Sequence, residues 1–254
     1  MKVTILQTDI VWTDVARNIA EADALLDKSE DADLYVLPEM WSTGFITEPK
    51  NVAEIAEESP SLLWMRQKAM ERNCAIAGSL AVYESEKFYN RFYFMKSDGT
   101  YVYYDKYHLF TSGGENLHFT RGDQRVVVEW RGVRIMLLVC YDLRFPVWTR
   151  NKKDYDLILY AANWPLSRQN VWNTLLRARA IENQCYVVGV NRVGNDPYCH
   201  YSGESAVIDC FGNPLVICPI NEIVSSTVEI DMKRLQAFRE KFSVLDDADE
   251  FSIL

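Results

Sequence analysis

This sequence lacks most of the features that mark a specialised chain. It has no run of about 18 apolar residues, so no segment is long enough to span a bilayer as a helix. Its six cysteines, at positions 74, 140, 185, 199, 210 and 218, include no CxxC pair. That pattern excludes a zinc ribbon or a disulfide framework and reads as a reduced, cytoplasmic protein; no metal and no cofactor are expected. Positive charge is in deficit: 27 Lys and Arg face 36 Asp and Glu, a net charge of -9. Neither nucleic acid nor an anionic membrane surface is an expected partner of so acidic a chain. Histidine is scarce, with only His108, His118 and His200, none in a local pattern that would pair it with a nucleophile. The opening MKVTILQTDIVWTD turns polar after six residues, so no secretory leader is expected. No Pro-, Gly- or Ser-rich linker interrupts the chain, and a single domain over residues 1–254 is expected.

What the chain does contain is an alternation of strands and helices from end to end. MKVTILQTDI, DLYVLP (33–38), CAIAGSLAVY (74–83), DLILYAANW (156–164), CYVVGVNRVG (185–194) and SSTVEIDM (225–232) read as strands. Residues 14–28 place Val15, Ile19, Ala22, Leu25 and Leu26 on one helical face. A second helix begins at Ser59-Pro60, a cap followed by proline at the first helical position. A third is expected over 167–184 with Ser167 as its cap, and a short charged helix follows the last strand. Hairpins are expected at Asp98-Gly99, Arg131-Gly132 and Gly212-Asn213. The class is α/β. DLYVLPEMW and DLILYAANW echo one another, and each is followed by helix, strand and hairpin, which suggests two αββ-like halves packed sheet on sheet with helices outside.

Three reactive residues stand where strands stop. Glu39 follows Val36-Leu37-Pro38, Lys106 follows YVYYD, and Cys140 ends the apolar run VRIMLLV. Carboxyl ends of strands in an α/β sheet converge on a ligand crevice, so residues distant in sequence meet there. Taken one at a time, each has an ordinary alternative: a buried structural thiol, a surface carboxylate, a solvated lysine. Taken together, they offer a thiol nucleophile, a base and acid to move its proton, and a cation for a developing oxyanion. That set suits attack on a carbonyl or nitrile carbon to give a thioester that water later cleaves.

LPEMWSTGF around Glu39, YDKYHLF around Lys106 and LVCYDLRFP around Cys140, in this order, resemble the nitrilase, or carbon–nitrogen hydrolase, superfamily. The resemblance implies a four-layer αββα sandwich and a Glu–Lys–Cys triad. Cys140 would be the nucleophile, Glu39 the general base and acid, and Lys106 the oxyanion stabiliser, with the backbone N–H of Tyr141 as a second donor. Glu115 in GGENLHF matches the family's second glutamate, which orients the lysine and the substrate. Tyr-Asp after the cysteine, rather than Trp-Glu, resembles the Nit branch of amidases, and VWTRN, LLRARAIENQ and REKF are similar to bacterial omega-amidases. Deaminated glutathione amidase of the same branch is the alternative, and an inactive interaction protein with this fold a remoter one.

An omega-amide substrate carries a carboxylate at its far end, so a cation is needed some distance from the thiol. Arg144 is the candidate, against a structural ion pair with Asp142 or Asp156. Trp164 is expected to wall the pocket, against a packing role, and Arg177, Arg179 and Glu182 to be structural. The resemblance further implies a homodimer, with helices at about 146–153 and RARAIEN at its seam. The tail 243–254, ending in the apolar Phe251, Ile253 and Leu254, would reach onto the partner.

Overall fold

The computed structural model describes residues 1–252. The first half of the chain runs β1 (Lys2–Gln7), α1 (Val15–Lys28), β2 (Leu34–Val36), β3 (Glu54–Ile55), α2 (Pro60–Glu71), β4 (Ala75–Glu84), β5 (Lys87–Met95) and β6 (Tyr101–Asp105). The second half begins with β7 (Val127–Trp130), β8 (Val133–Val139), α3 (Pro146–Thr149), β9 (Leu157–Ala162) and α4 (Gln169–Asn183). It continues through β10 (Tyr186–Asn191), β11 (Val193–Asn195), β12 (His200–Ser202), β13 (Ala206–Ile208), β14 (Pro214–Ile217), β15 (Val224–Glu229) and α5 (Met232–Lys241). Among the described residues, no helix is long and apolar enough to cross a membrane.

The strands form a seven-stranded sheet in the order β15-β1-β2-β4-β5-β6, with β3 also on β4, a six-stranded sheet in the order β14-β13-β10-β9-β8-β7, and a two-stranded ribbon of β11 and β12. Side-chain alternation along β5 shows how the layers stack. Phe92 and Phe94 enter the core shared with Ile135 and Leu137 of β8. Tyr93 and Met95 point the other way, onto Ala22 and Leu26 of α1 and Leu62 and Met65 of α2. The second sheet is covered by Trp172, Leu176 and Ala180 of α4 and Leu235 of α5. The result is helix, sheet, sheet, helix, as expected. On β10, a Cβ at Gly189 would lie 2.7 Å from Leu176 and 2.8 Å from Trp172, so glycine there lets α4 settle onto the sheet.

Local chemistry explains most boundaries. Ser59 Oγ accepts from Leu62 N at 3.0 Å, capping α2. Arg131 and Gly132 both have positive φ, 48° and 76°, the two-residue turn whose twist suits a tight hairpin.

Four expectations need correction. Ser167 is not a cap: a 3₁₀ turn over Leu166–Arg168 leads into α4, and Arg168 stands at the cap position with no side-chain bond. The strand expected over 185–194 breaks at Arg192, whose fully buried side chain turns to reach Asp9 Oδ1 at 2.9 Å. The helix expected near 146–153 is a single turn, Pro146–Thr149. The two halves are interlocked, because β15 runs back to pair antiparallel with β1 in the first sheet. The start of the tail packs on its own chain: Leu245 is buried, Asp246 pairs with Lys153, and Lys152 Nζ lies 4.9 Å from the Phe251 ring centre. Ile253 and Leu254, which the expected tail contact also used, lie outside the described residues.

Candidate active site

Two sharp backbone elbows present the site. After β2, Leu37 N still bonds Ala77 O at 2.8 Å, Pro38 stops the pairing, and Met40 takes a left-handed φ of 42°. After β8, Cys140 itself takes a φ of 41° and opens a 3₁₀ turn over Cys140–Arg144. Non-glycine residues held at such angles cost roughly 1–2 kcal/mol each and gather at functional sites. The second elbow also puts the N–H of Tyr141 in a first turn, where it has no acceptor within the helix.

Glu39, Lys106 and Glu115, drawn from three separate segments, meet in a buried cluster. Lys106 Nζ donates to Glu39 Oε1 at 2.8 Å and to Glu115 Oε2 at 2.9 Å. Glu115 Oε2 also accepts from Phe110 N at 2.6 Å. Burial by itself would lower the pKa of Lys106, but the Glu115 and Glu39 carboxylates outweigh it and hold the ammonium well above the ordinary lysine value. Burial raises the Glu115 carboxyl, and Lys106 only partly offsets it. Burial likewise pushes the Cys140 thiol well above the usual range, and the charge of Glu39 pushes it further, against the pull of Lys106. Both effects favour the protonated thiol over the thiolate, so a nucleophilic Cys140 calls for a neighbouring base to take its proton.

Two asparagines and a serine, absent from the expected set, complete the cluster. Asn90 Nδ2 donates to Glu39 Oε1 at 2.8 Å and to Glu115 Oε1 at 2.9 Å. Asn90 Oδ1 in turn accepts from Ser79 Oγ at 2.9 Å. Asn163 N donates to Glu39 Oε2 at 3.0 Å, and Asn163 Nδ2 to Glu39 O at 2.6 Å. The thiol contacts Asn163 O at 3.8 Å. A signal for Asn90 was present: it shares the β5 face that carries Phe92 and Phe94, where a lone amide needs a buried partner. Asn163 lies in DLILYAANW, and the two echoed strand exits prove to meet in space, one supplying Glu39 and the other the donors that hold it.

Asp142, two residues after the thiol and fully buried, ties the cysteine elbow to the lysine loop. Its carboxylate accepts from Val139 N at 2.9 Å, Tyr104 Oη at 2.9 Å and His108 N at 3.1 Å, with His108 Nδ1 2.8 Å away. It is thus taken up by the loop that follows Lys106 and makes no ion pair with Arg144. Asp156 pairs instead with Arg134 and Arg239, and Arg179 binds Glu182 and the carbonyl of Leu143, a structural role as expected.

A cavity of about 360 Å³ opens over Cys140, Glu39 and Lys106, and Tyr141, Arg144 and Trp164 line it. Glu115 stands behind Lys106, outside the lining. The Arg144 guanidinium lies 5.0 Å from the Trp164 ring centre and has no acidic partner among the described residues. Trp164 is itself pinned, its Nε1 donating to Arg168 O at 2.8 Å.

The carbon-nitrogen hydrolase family model matches residues 2–240. This chain belongs to the carbon–nitrogen hydrolase family. Within that family it is 46% identical to the omega-amidase YafV of Escherichia coli K12, over 100% of this chain and 98% of that one. It is 37% identical to the 2-oxoglutaramate amidase of Bacillus subtilis, over 97% and 98% of the two chains. Among solved structures it superposes with a TM-score of 0.96 and 40% identity on XC1258 of Xanthomonas campestris, a CN-hydrolase superfamily protein with an arsenic adduct in its active site. That match covers 100% of this chain and 98% of the other. A glutamate-to-glutamine mutant of an amidase from Nesterenkonia sp. AN1, 25% identical with a TM-score of 0.83 over 96% and 98% of the chains, carries acrylamide added to its active-site cysteine. As a carbon–nitrogen hydrolase, the chain is an amidohydrolase in which a thiol, two carboxylates and an ammonium share one buried site.

Proposed function

We propose that this protein is an omega-amidase, hydrolysing the terminal amide of 2-oxoglutaramate or 2-oxosuccinamate to the 2-oxo dicarboxylate and ammonia. The observation that carries this reading is the unpaired guanidinium of Arg144 in the cavity that holds the Cys140 thiol. Full-length identity to an omega-amidase and to a 2-oxoglutaramate amidase supports it. An uncompensated Arg in a partly closed pocket calls for an anionic end on the substrate, and its planar fork suits a carboxylate.

In this reading, Glu39 takes the proton from Cys140 Sγ as sulfur attacks the amide carbon and the carbonyl electron pair moves to oxygen. The oxyanion is met by the Lys106 ammonium and the Tyr141 N–H, donors fixed before the reaction begins. The intermediate collapses with loss of the C–N bond, Glu39 returns its proton to nitrogen, and ammonia leaves. Water then gives a proton to Glu39 and attacks the thioester. Release of the acid restores the proton to sulfur. Glu115 and Asn90 hold Lys106 and Glu39 in place throughout.

The test is hydrolysis measured side by side on 2-oxoglutaramate, 2-oxosuccinamate, deaminated glutathione and a neutral short amide. The two 2-oxo amides are expected to have the highest kcat/KM. Arg144→Lys should cost roughly 1.5–3 kcal/mol of a charge-assisted bond, about ten- to a hundredfold in kcat/KM on 2-oxoglutaramate, mostly through KM. Preference for deaminated glutathione would transfer the assignment to that amidase.

We propose further that the enzyme is a homodimer working in a reducing cytoplasm. All six cysteines are free. Val147 on α3 and Ile181 on α4, at the expected seam, are 59% and 54% exposed, apolar surface that a second copy would cover. Sedimentation at micromolar concentration tests the dimer, and a monomer there excludes it.

A further inference from the structure

Arg144 is not the only free guanidinium in the cavity. Arg168, at the entry to α4, also lines it, and its guanidinium carbon lies 5.4 Å from the ring centre of Phe110, another wall residue. Neither arginine has an ion pair or a side-chain hydrogen bond among the described residues. They are linked through Trp164, whose ring lies under Arg144 and whose Nε1 bonds the Arg168 carbonyl. Apart from Glu39, Asp196 is the acid on the cavity wall, and it is already engaged. Its Oδ1 accepts from Tyr198 N and Cys199 N, both at 2.7 Å, and its Oδ2 from Tyr201 Oη at 2.5 Å. The cavity wall therefore carries two guanidiniums with no ion-pair partner among the described residues, beside the Asp196 carboxylate, whose oxygens already accept three hydrogen bonds.

We propose that Arg168 is a specificity-determining residue that, with Arg144, forms a two-cation subsite reading the 2-oxo-carboxylate head of the substrate. One fork takes the carboxylate, and the second supplies a donor to the 2-oxo oxygen, an acceptor that a plain monoamide lacks. An α-amino acid amide would bring an ammonium beside two guanidiniums, an arrangement that like-charge repulsion penalises. The substrate class is thus the 2-oxo acid amide, with discrimination against glutamine built into the two arginines of the cavity wall. This rests on the omega-amidase reading and sharpens it.

The experiment compares three substrates with the same terminal amide and carboxylate: 2-oxoglutaramate, glutaric monoamide and glutamine. Wild type is expected to favour them in that order. Arg168→Gln should reduce the kcat/KM ratio of 2-oxoglutaramate to glutaric monoamide by about ten- to a hundredfold, chiefly through KM. Arg168→Lys, which keeps the charge, should recover part of the ratio. As a readout free of turnover, 2-oxoglutarate should bind Cys140→Ala about tenfold or more tighter than it binds Cys140→Ala/Arg168→Gln. An unchanged ratio and unchanged binding in a wild type that does prefer 2-oxoglutaramate would overturn the Arg168 assignment alone. A wild type that prefers a neutral amide would overturn the omega-amidase reading and this proposal with it.

Discussion

One side-chain amide spans both glutamates of the site: Asn90 Nδ2 lies 2.8 Å from Glu39 Oε1 and 2.9 Å from Glu115 Oε1. Lys106 bridges the same two carboxylates from its own strand end. Two buried carboxylates so close together repel, and the donors shared between them, Asn90 and Lys106, offset that repulsion. Asn90 is fixed in turn by Ser79, whose Oγ also accepts from Met40 N at 2.9 Å, next to Glu39 in the chain. The first elbow and Glu39 are thereby held by one chain of hydrogen bonds.

Asn90→Ala should therefore lower kcat without matching loss of substrate binding. Removing one donor to a charged group is worth roughly 1.5–3 kcal/mol, about ten- to a hundredfold in rate. Steady-state kinetics on a variant shown by circular dichroism to be folded decides this. A normal kcat would make Asn90 a packing residue only.

Cys140→Ala should abolish hydrolysis and leave the melting temperature near that of the wild type, since it removes one sulfur from a cavity wall. Cys140→Ser should be nearly inactive, because a hydroxyl is far harder to deprotonate than a thiol. With hydroxylamine present, the wild type should form hydroxamate from its thioester. Activity of more than a few per cent in Cys140→Ala, or no hydroxamate, would remove the covalent mechanism.

Lys106→Arg should be nearly as damaging as Lys106→Ala. A compact ammonium fits between Glu39 and Glu115 at 2.8 and 2.9 Å, and a planar guanidinium cannot occupy that volume. Near-normal turnover in a folded Lys106→Arg variant would reduce the lysine to a structural charge.

Stability should fall on the alkaline side. Burial raises the Cys140 thiol and the Tyr104, Tyr155 and Tyr160 hydroxyls well above their ordinary values, and pushes the Cys74 thiol up to about 12 and Cys210 up to about 11. For an acid whose pKa is raised on folding, the folded state keeps a proton that the unfolded chain releases. Its contribution is complete below the unfolded value and is lost as pH rises towards the folded one. Lys106, raised by its carboxylates against burial, acts in the same sense. Thermal melts should be flat from pH 7 to about 8.5, where unfolded thiols begin to ionise, and fall steadily towards pH 11. A flat profile to pH 11 would contradict these shifts.

The sequence alone determined the elements and the three reactive positions, because both depend on local rules. A seven-residue apolar run from Val133 to Val139 makes a buried strand wherever it sits, and whatever follows it is delivered to a strand end. Ser59-Pro60 starts a helix, and Arg131-Gly132 turns a hairpin, without help from distant residues. Its errors were local rules overridden by packing: Ser167 gave way to a 3₁₀ turn, and the strand after Cys185 broke where Arg192 had to reach Asp9. The tertiary structure alone decided which residues share the site. Asn90, Asn163, Ser79 and Asp142 carry no reactive chemistry of their own, and their parts follow from hydrogen bonds to groups 3 to 124 residues away. The same holds for the arginines. A guanidinium's role depends on whether a carboxylate is within reach, and only the fold sends Asp142 to His108, Asp156 to Arg134 and Asp196 to Tyr201, leaving Arg144 and Arg168 in the pocket without an ion pair among the described residues.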